Sequence, residues 1–203
     1  MRIASLTTMA ITIAASAPAR ALADPVVSVY VRNNASVPQD QIGRAQNLAK
    51  DMFAAIGVRI EWRLGQPSIY SPVGSIAIEL VDKTPANLMP GALAYAKPYE
   101  GIHIQIFYDR VQLGPYQTER LAHVLVHEIT HILQGIVRHS DSGVMKAKWT
   151  WEDERQMLDH PLSFTEADIY LIHYGLLTGH PSYLNGEFPS SGWRLPVGKQ
   201  PSR

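Results

Sequence analysis

RLAHVLVHEITHILQGIVRHSDSGVM, residues 120–145, holds the pattern from which the rest of the chain is read. At its centre stand His127 and His131, four residues apart, with Glu128 beside the first. On an α-helix, residues i and i+4 share a face, so both imidazoles can reach one metal ion. Glu128 points roughly 100° round the helix from His127, which sets a carboxylate beside a metal-activated water rather than on the metal. The helix is expected from Gln117 or Thr118 to Gln134, with Val124, Ile129, Ile132 and Leu133 as its buried apolar surface.

Gly135 follows at the helix end. Glycine enters the left-handed conformation without steric penalty, so it can end the helix and let Ile136-Val137-Arg138 turn back, bringing His139 toward the other two histidines. Three neutral imidazoles around Zn²⁺ leave a fourth position open, as in a catalytic rather than a closed structural site. His127, His131 and His139 are therefore the expected ligands of one catalytic zinc, and Glu128 the expected general base. The acidic alternatives to His139 are Glu152 and Glu154, on a helix expected over Trp149–Leu158. His123 lies on the same stripe but about 12 Å along the axis from His131, too far to share an ion. It is expected to pack, or to line the end of the cleft.

In this order the residues resemble the metzincin clan of zinc peptidases, and most closely its matrix-metalloproteinase-like branch. That motif is HExxHxxGxxH, then serine, then a methionine turn beneath the metal. The matching positions here are His127-Glu128, His131, Gly135, His139-Ser140 and Gly143-Val144-Met145, with one extra residue before Gly135 and another before His139. The pattern is also similar to a group of exported bacterial proteins with helix, glycine, His-Ser and Gly-Ile/Val-Met in this order. The resemblance implies zinc on the three histidines, Glu128 as base and acid, and Met145 under the site. Metzincin-like proteins often add a tyrosine near the methionine turn to stabilise the oxyanion. In this chain no tyrosine follows Met145 until Tyr170, which leaves Tyr170, Tyr174 and Tyr95 as candidates.

Upstream, alternating or β-branched runs predict strands over 26–32, 58–63, 75–81 and 101–108, with a short edge segment at 92–96. The 101–108 run is the clearest; it is either a strand beside the cleft that pairs with an extended substrate or one more core strand, and the sequence does not choose between them. A helix is predicted from about Asp40 to Ile56 on the spacing of Ile42, Ala45, Leu48, Ala49, Met52 and Phe53. Downstream, Ser163 and Glu166 have capping-box spacing ahead of a helix from Phe164 to about Leu177. His173 and His180 stand alone and are not expected to be ligands. The fold class expected is α+β and metzincin-like: a small mixed twisted sheet on a backing helix and a metal-binding helix, with a mainly helical C-terminal part.

Met1-Arg2, the largely apolar Ile3–Ala17 and a terminal Ala21-Leu22-Ala23 predict a secretory signal peptide over 1–23. A single domain over 24–203 follows: a sheet part to 135, a C-terminal part over 136–180 and a Pro/Gly/Ser-rich tail over 181–203, where Trp193 is a candidate anchor. Removing Arg2 and Arg20 from 18 basic residues leaves 16 against 18 acidic ones. That balance points to no nucleic-acid partner, and no membrane span is expected after signal cleavage. The chain has no cysteine, so disulfides, thiolate metal sites and cysteine nucleophiles are excluded. The expected function is an exported zinc endopeptidase, secreted or periplasmic in a bacterium, acting on an extended protein or peptide. The alternative is an exported zinc-binding interaction protein of the same fold with little or no proteolytic activity.

Overall fold

A computed structural model describes residues 24–72, 74–85, 91–96, 102–114 and 116–178. The expected signal peptide and tail, with His180 and Trp193, lie outside the described residues. Among the described residues, five strands and five helices run in the order β1 (Val26–Asn33), α1 (Gln39–Ala54), β2 (Arg59–Leu64), β3 (Ile76–Val81), β4 (Ala94–Ala96), β5 (His103–Phe107), α2 (Tyr108–Val111), α3 (Gln117–Gln134), α4 (Trp151–Asp159) and α5 (Glu166–Thr178). The sheet order is β2-β1-β3-β5-β4. All neighbours are parallel except β4, which runs antiparallel to β5.

Alternation decides which side of the sheet is covered. Val29 pairs with Ile76, Val31 with Ile78, Ile78 with Ile104 and Leu80 with Ile106, giving a continuous row of buried β-branched and aliphatic side chains. Against that face pack α1 and α3, which also touch each other. From α1 the buried Ile42, Ala45, Ala49, Met52 and Phe53 lie on one stripe. Each large side chain of this kind contributes roughly 1.5–3 kcal/mol when fully buried. The parallel pairing of β1 and β2 requires a crossover, and α1 supplies it.

The 101–108 run is a core strand. β5 is paired on both sides, by β3 and β4, so it has no free edge to offer a substrate. Among the described residues the sheet ends on the three-residue β4, which packs against α3. The regularity of β5 reports burial on a pleated surface and not position at an edge.

Two helix starts are corrected. α4 begins at Trp151 rather than Trp149, because the Thr150 hydroxyl accepts from the Asp153 N–H while the Asp153 carboxylate accepts from the Thr150 N–H. α5 starts at Glu166, and its reciprocal cap is Thr165 with Asp168, not Ser163 with Glu166. α5 crosses α3 so closely that a Cβ on Gly175 would lie 1.9 Å from the Leu133 carbonyl oxygen. No helix among the described residues is long and apolar enough to cross a membrane.

Candidate metal centre

Every residue of α3 from Leu121 to Gln134 is buried. A helix hydrophobic all round would suit such a position, yet this one carries His123, His127, Glu128, Thr130, His131 and Gln134 into the interior. Buried polar groups need partners, and those partners define the site. Thr130 Oγ1 donates back to the Val126 carbonyl at 2.7 Å. The remaining groups reach outside the helix.

Gly135 sits at φ 66° and ends α3 in the left-handed conformation, with its N–H on the His131 and Ile132 carbonyls. The chain then doubles back and brings His139 over the helix. Its ring centroid lies 5.2 Å from that of His127 and 5.1 Å from that of His131. One nitrogen from each of His127, His131 and His139 falls within 4.8 Å of the other two. The two helix histidines are buried and His139 is exposed.

Ring tautomers follow from what faces each Nδ1. His127 Nδ1 is 2.8 Å from the Val144 carbonyl and His131 Nδ1 is 3.2 Å from that of Ile136. A carbonyl can only accept, so both Nδ1 atoms carry the proton and both Nε2 atoms are bare. The two Nε2 atoms stand 3.1 Å apart. Two lone pairs at that separation repel unless a cation lies between them. Nitrogens on a tetrahedral zinc at 2.0–2.1 Å would stand about 3.3 Å apart, so the donor set fits zinc. Burial lowers the His127 pKa to about 4 and that of His131 to about 3, with the neighbouring imidazoles adding to the effect. Burial and the Arg138 charge also lower that of His139. All three rings are thus neutral near pH 7, as ligation requires.

Glu128 is buried beside this cluster. Burial raises its pKa to about 8, while a hydrogen bond from the Ala96 backbone N–H pulls the other way. The edge strand β4 therefore holds the carboxyl.

The 136–145 loop is fixed from several sides. The Ser140 N–H donates to the Met145 carbonyl at 2.8 Å and the Val144 N–H to the Ser163 carbonyl at 3.0 Å. Val144 and Met145 are fully buried. Gly143, at φ 75°, passes so near Ser163 that a Cβ would sit 2.1 Å from its carbonyl oxygen. Trp149 lies across the same region, its ring 5.8 Å from His127 and 6.1 Å from His123.

The other candidates fall elsewhere. Glu152 is exposed on α4 and the Glu154 carboxylate is 3.2 Å from Arg120 Nη2; among the described residues the converging ligand atoms are those of the three histidines. His123 is a wholly buried packing residue: Nδ1 is 2.7 Å from the Glu119 carbonyl, and Nε2 accepts the Leu162 N–H at 3.0 Å. His173 Nε2 lies 2.8 Å from the Ile56 carbonyl. Tyr170 and Tyr174 stack on each other along α5. Tyr95 lines a cavity on the other side of the sheet with Glu79, His103 and Gln105.

Sequence inspection did not single out Asp168, on α5. Its fully buried carboxylate accepts from Arg138 Nη1 at 2.7 Å, from Ser140 Oγ at 2.8 and 3.0 Å, and from the Thr165 N–H and hydroxyl at 3.0 and 2.6 Å. Burial pushes its pKa up, but these hydrogen bonds together outweigh it and leave the carboxyl below its ordinary value. The Thr165-x-x-Asp168 spacing was the one available sign.

No family model and no curated protein sequence matches the chain. Among solved structures, archaemetzincin from Methanopyrus kandleri matches with a TM-score of 0.52 and 14% identity, covering 76% of this chain and 97% of that one. Archaemetzincin from Archaeoglobus fulgidus matches with a TM-score of 0.49 and 16% identity over 71% of this chain and 99% of the other. At such identities the likeness is one of fold. The fold is metzincin-like, a mixed α+β architecture of twisted sheet, backing helix and C-terminal helices. Within it stands a three-histidine cluster able to coordinate a metal ion.

Proposed function

We propose that this protein is an exported zinc-dependent endopeptidase, with His127, His131 and His139 holding the metal and Glu128 acting as general base. The convergence of the three imidazoles within 4.8 Å, next to a buried carboxyl, is the observation that supports this most strongly. The His139-Ser140 and Gly143-Val144-Met145 pattern supports kinship with the matrix-metalloproteinase-like branch in particular.

Zinc, when bound, supplies Lewis acidity, acidifying a water molecule and polarising a carbonyl. The protein's own groups do the rest. Val144 and Ile136 fix the imidazoles by accepting from their Nδ1 atoms. Glu128 takes a proton from the attacking water and returns it to the departing amine nitrogen. Burial raises the proton affinity of this carboxyl and the charge of a bound zinc would lower it again, so that Glu128 can both take and return a proton. The substrate is an extended protein or peptide segment that lies along β4, the last strand of the sheet among the described residues. Because Ala96 of β4 also holds Glu128, strand pairing and proton transfer share one short element. The predicted signal peptide supports action in a bacterial periplasm or outside the cell.

A second reading, zinc binding without turnover, is favoured by the tyrosines, which stack along α5 or line the opposite side of the sheet. Digestion of a denatured protein at saturating zinc separates the two readings. The parent should cut, and Glu128→Gln should bind one zinc equally well while losing at least ~10²-fold in kcat. A parent that binds one zinc and cuts nothing across a range of pH would rule out the peptidase.

A further inference from the structure

His139 is the one ligand of the three that no helix carries, and it is exposed. Its position must therefore come from its neighbours. Arg138 and Ser140, the residues on either side, both donate side-chain hydrogen bonds to the same carboxylate, that of Asp168. Arg138 Nη1 also lies 3.2 Å from Ser140 Oγ, closing a three-membered network across the His139 main chain. Asp168 is immobile in turn. It belongs to the first turn of α5, its N–H donates to Thr165 Oγ1, and its carbonyl lies 3.4 Å from Gln134 Nε2 at the end of α3. Asp168 so links the two parts of the cluster, its main-chain carbonyl reaching the end of the helix that carries two of the histidines and its carboxylate the loop that carries the third.

We infer that Asp168 is a positioning residue that clamps the main chain on both sides of His139 and so sets the affinity of the three-histidine site for its metal. The inference rests on the zinc reading above. Asp168 touches neither metal nor substrate. It acts by fixing residues 138 and 140, so that His139 does not lose the freedom of a loop each time the metal binds. An isosteric amide has a single acceptor oxygen. It cannot accept from four donors, and it brings an NH₂ group toward Arg138.

The test measures zinc affinity by competition with a chromophoric chelator, using folded protein checked by circular dichroism, for Asp168→Asn, Ser140→Ala and Ser140→Thr. Asp168→Asn should weaken zinc by about tenfold or more, the range seen when groups behind a ligand are removed. Ser140→Ala, which deletes one arm and is the milder change, should weaken it less, and Ser140→Thr, which keeps the hydroxyl, should match the parent. The Co²⁺-loaded Asp168→Asn protein should show an altered visible spectrum as His139 loosens. Asp109→Asn is the control: that carboxylate accepts from the Thr84 N–H and hydroxyl far from the histidines, and its loss should lower stability and leave zinc affinity unchanged. Parent-like zinc affinity in folded Asp168→Asn overturns the inference, as does an equal loss in Asp109→Asn. Should Asp168→Asn fail to fold, parent-like affinity in Ser140→Ala overturns it instead. A parent that binds no zinc at all refutes the metal reading itself, which is a separate result.

Discussion

The two halves of the three-histidine cluster are built by different means. His127 and His131 ride on α3, where helical periodicity alone puts them on one face and burial on every side fixes the rest. His139 sits in a loop with no repeating geometry, held by a glycine at positive φ, a few main-chain hydrogen bonds and one buried carboxylate. The first half draws its precision from contacts local in sequence. The second borrows it from residues some twenty to thirty positions further on, at Ser163, Thr165 and Asp168. Local and borrowed order should fail differently when disturbed.

The sharpest way to break the borrowed half is Gly143→Ala. The new methyl would enter the space of the Ser163 carbonyl oxygen while straining a left-handed residue. A loss of roughly 2–5 kcal/mol is expected in urea unfolding. Zinc affinity should fall as well, because the displaced Val144 carbonyl orients His127.

The helix half can be probed through pH. Folded Glu128 titrates near 8 and so, in metal-free protein, binds a proton that the unfolded chain has already released. Stability contributed by that proton is lost as pH rises. His127 and His131 have lowered folded values, so their contribution grows with pH and is complete above about 6.5. Between about pH 6.5 and 8 only the Glu128 effect remains, and the metal-free parent should lose up to about 2 kcal/mol. Glu128→Gln should stay flat over that window in denaturant titrations at each pH.

The smallest effect is expected away from both halves. Thr150→Ala removes the α4 cap and should cost about 1 kcal/mol in thermal or denaturant unfolding. Zinc titration of the same variant should match the parent, since the α4 cap is no part of the histidine cluster.

The same division explains what could be read from the sequence. α1 and the four longer strands were legible from the apolar face that each buries, α3 from the four-residue spacing of His127 and His131 beside its apolar residues, and the return of the chain at Gly135 because left-handed helix ends select glycine. The three-residue β4 was legible as a short strand or edge segment over 92–96, but the sequence alone did not decide whether the more regular 101–108 run lay beside the cleft or inside the sheet, because sheet order is set by pairings distant in sequence. Asp168 was not legible as a clamp. Its partners at 138 and 140 are some thirty residues away, and no propensity or spacing rule relates an acid on one helix to a loop before it. His139 was preferred over Glu152 and Glu154 as third ligand because Gly135 accounts for the return of the chain, and among the described residues it is the imidazole of His139 that converges with His127 and His131.

The Asp168 tether also determines which chemical insult the centre tolerates. A loop is often secured by a disulfide, which a reductant can cut. This chain has no cysteine, and its loop hangs on a carboxylate instead. Reducing conditions leave such an anchor intact; acid does not. Because the hydrogen bonds hold the Asp168 carboxyl below its ordinary value, its stabilisation is complete above about pH 4 and is lost only as pH falls through that lowered value. The loop that carries His139 is thus anchored by a redox-blind, acid-labile contact.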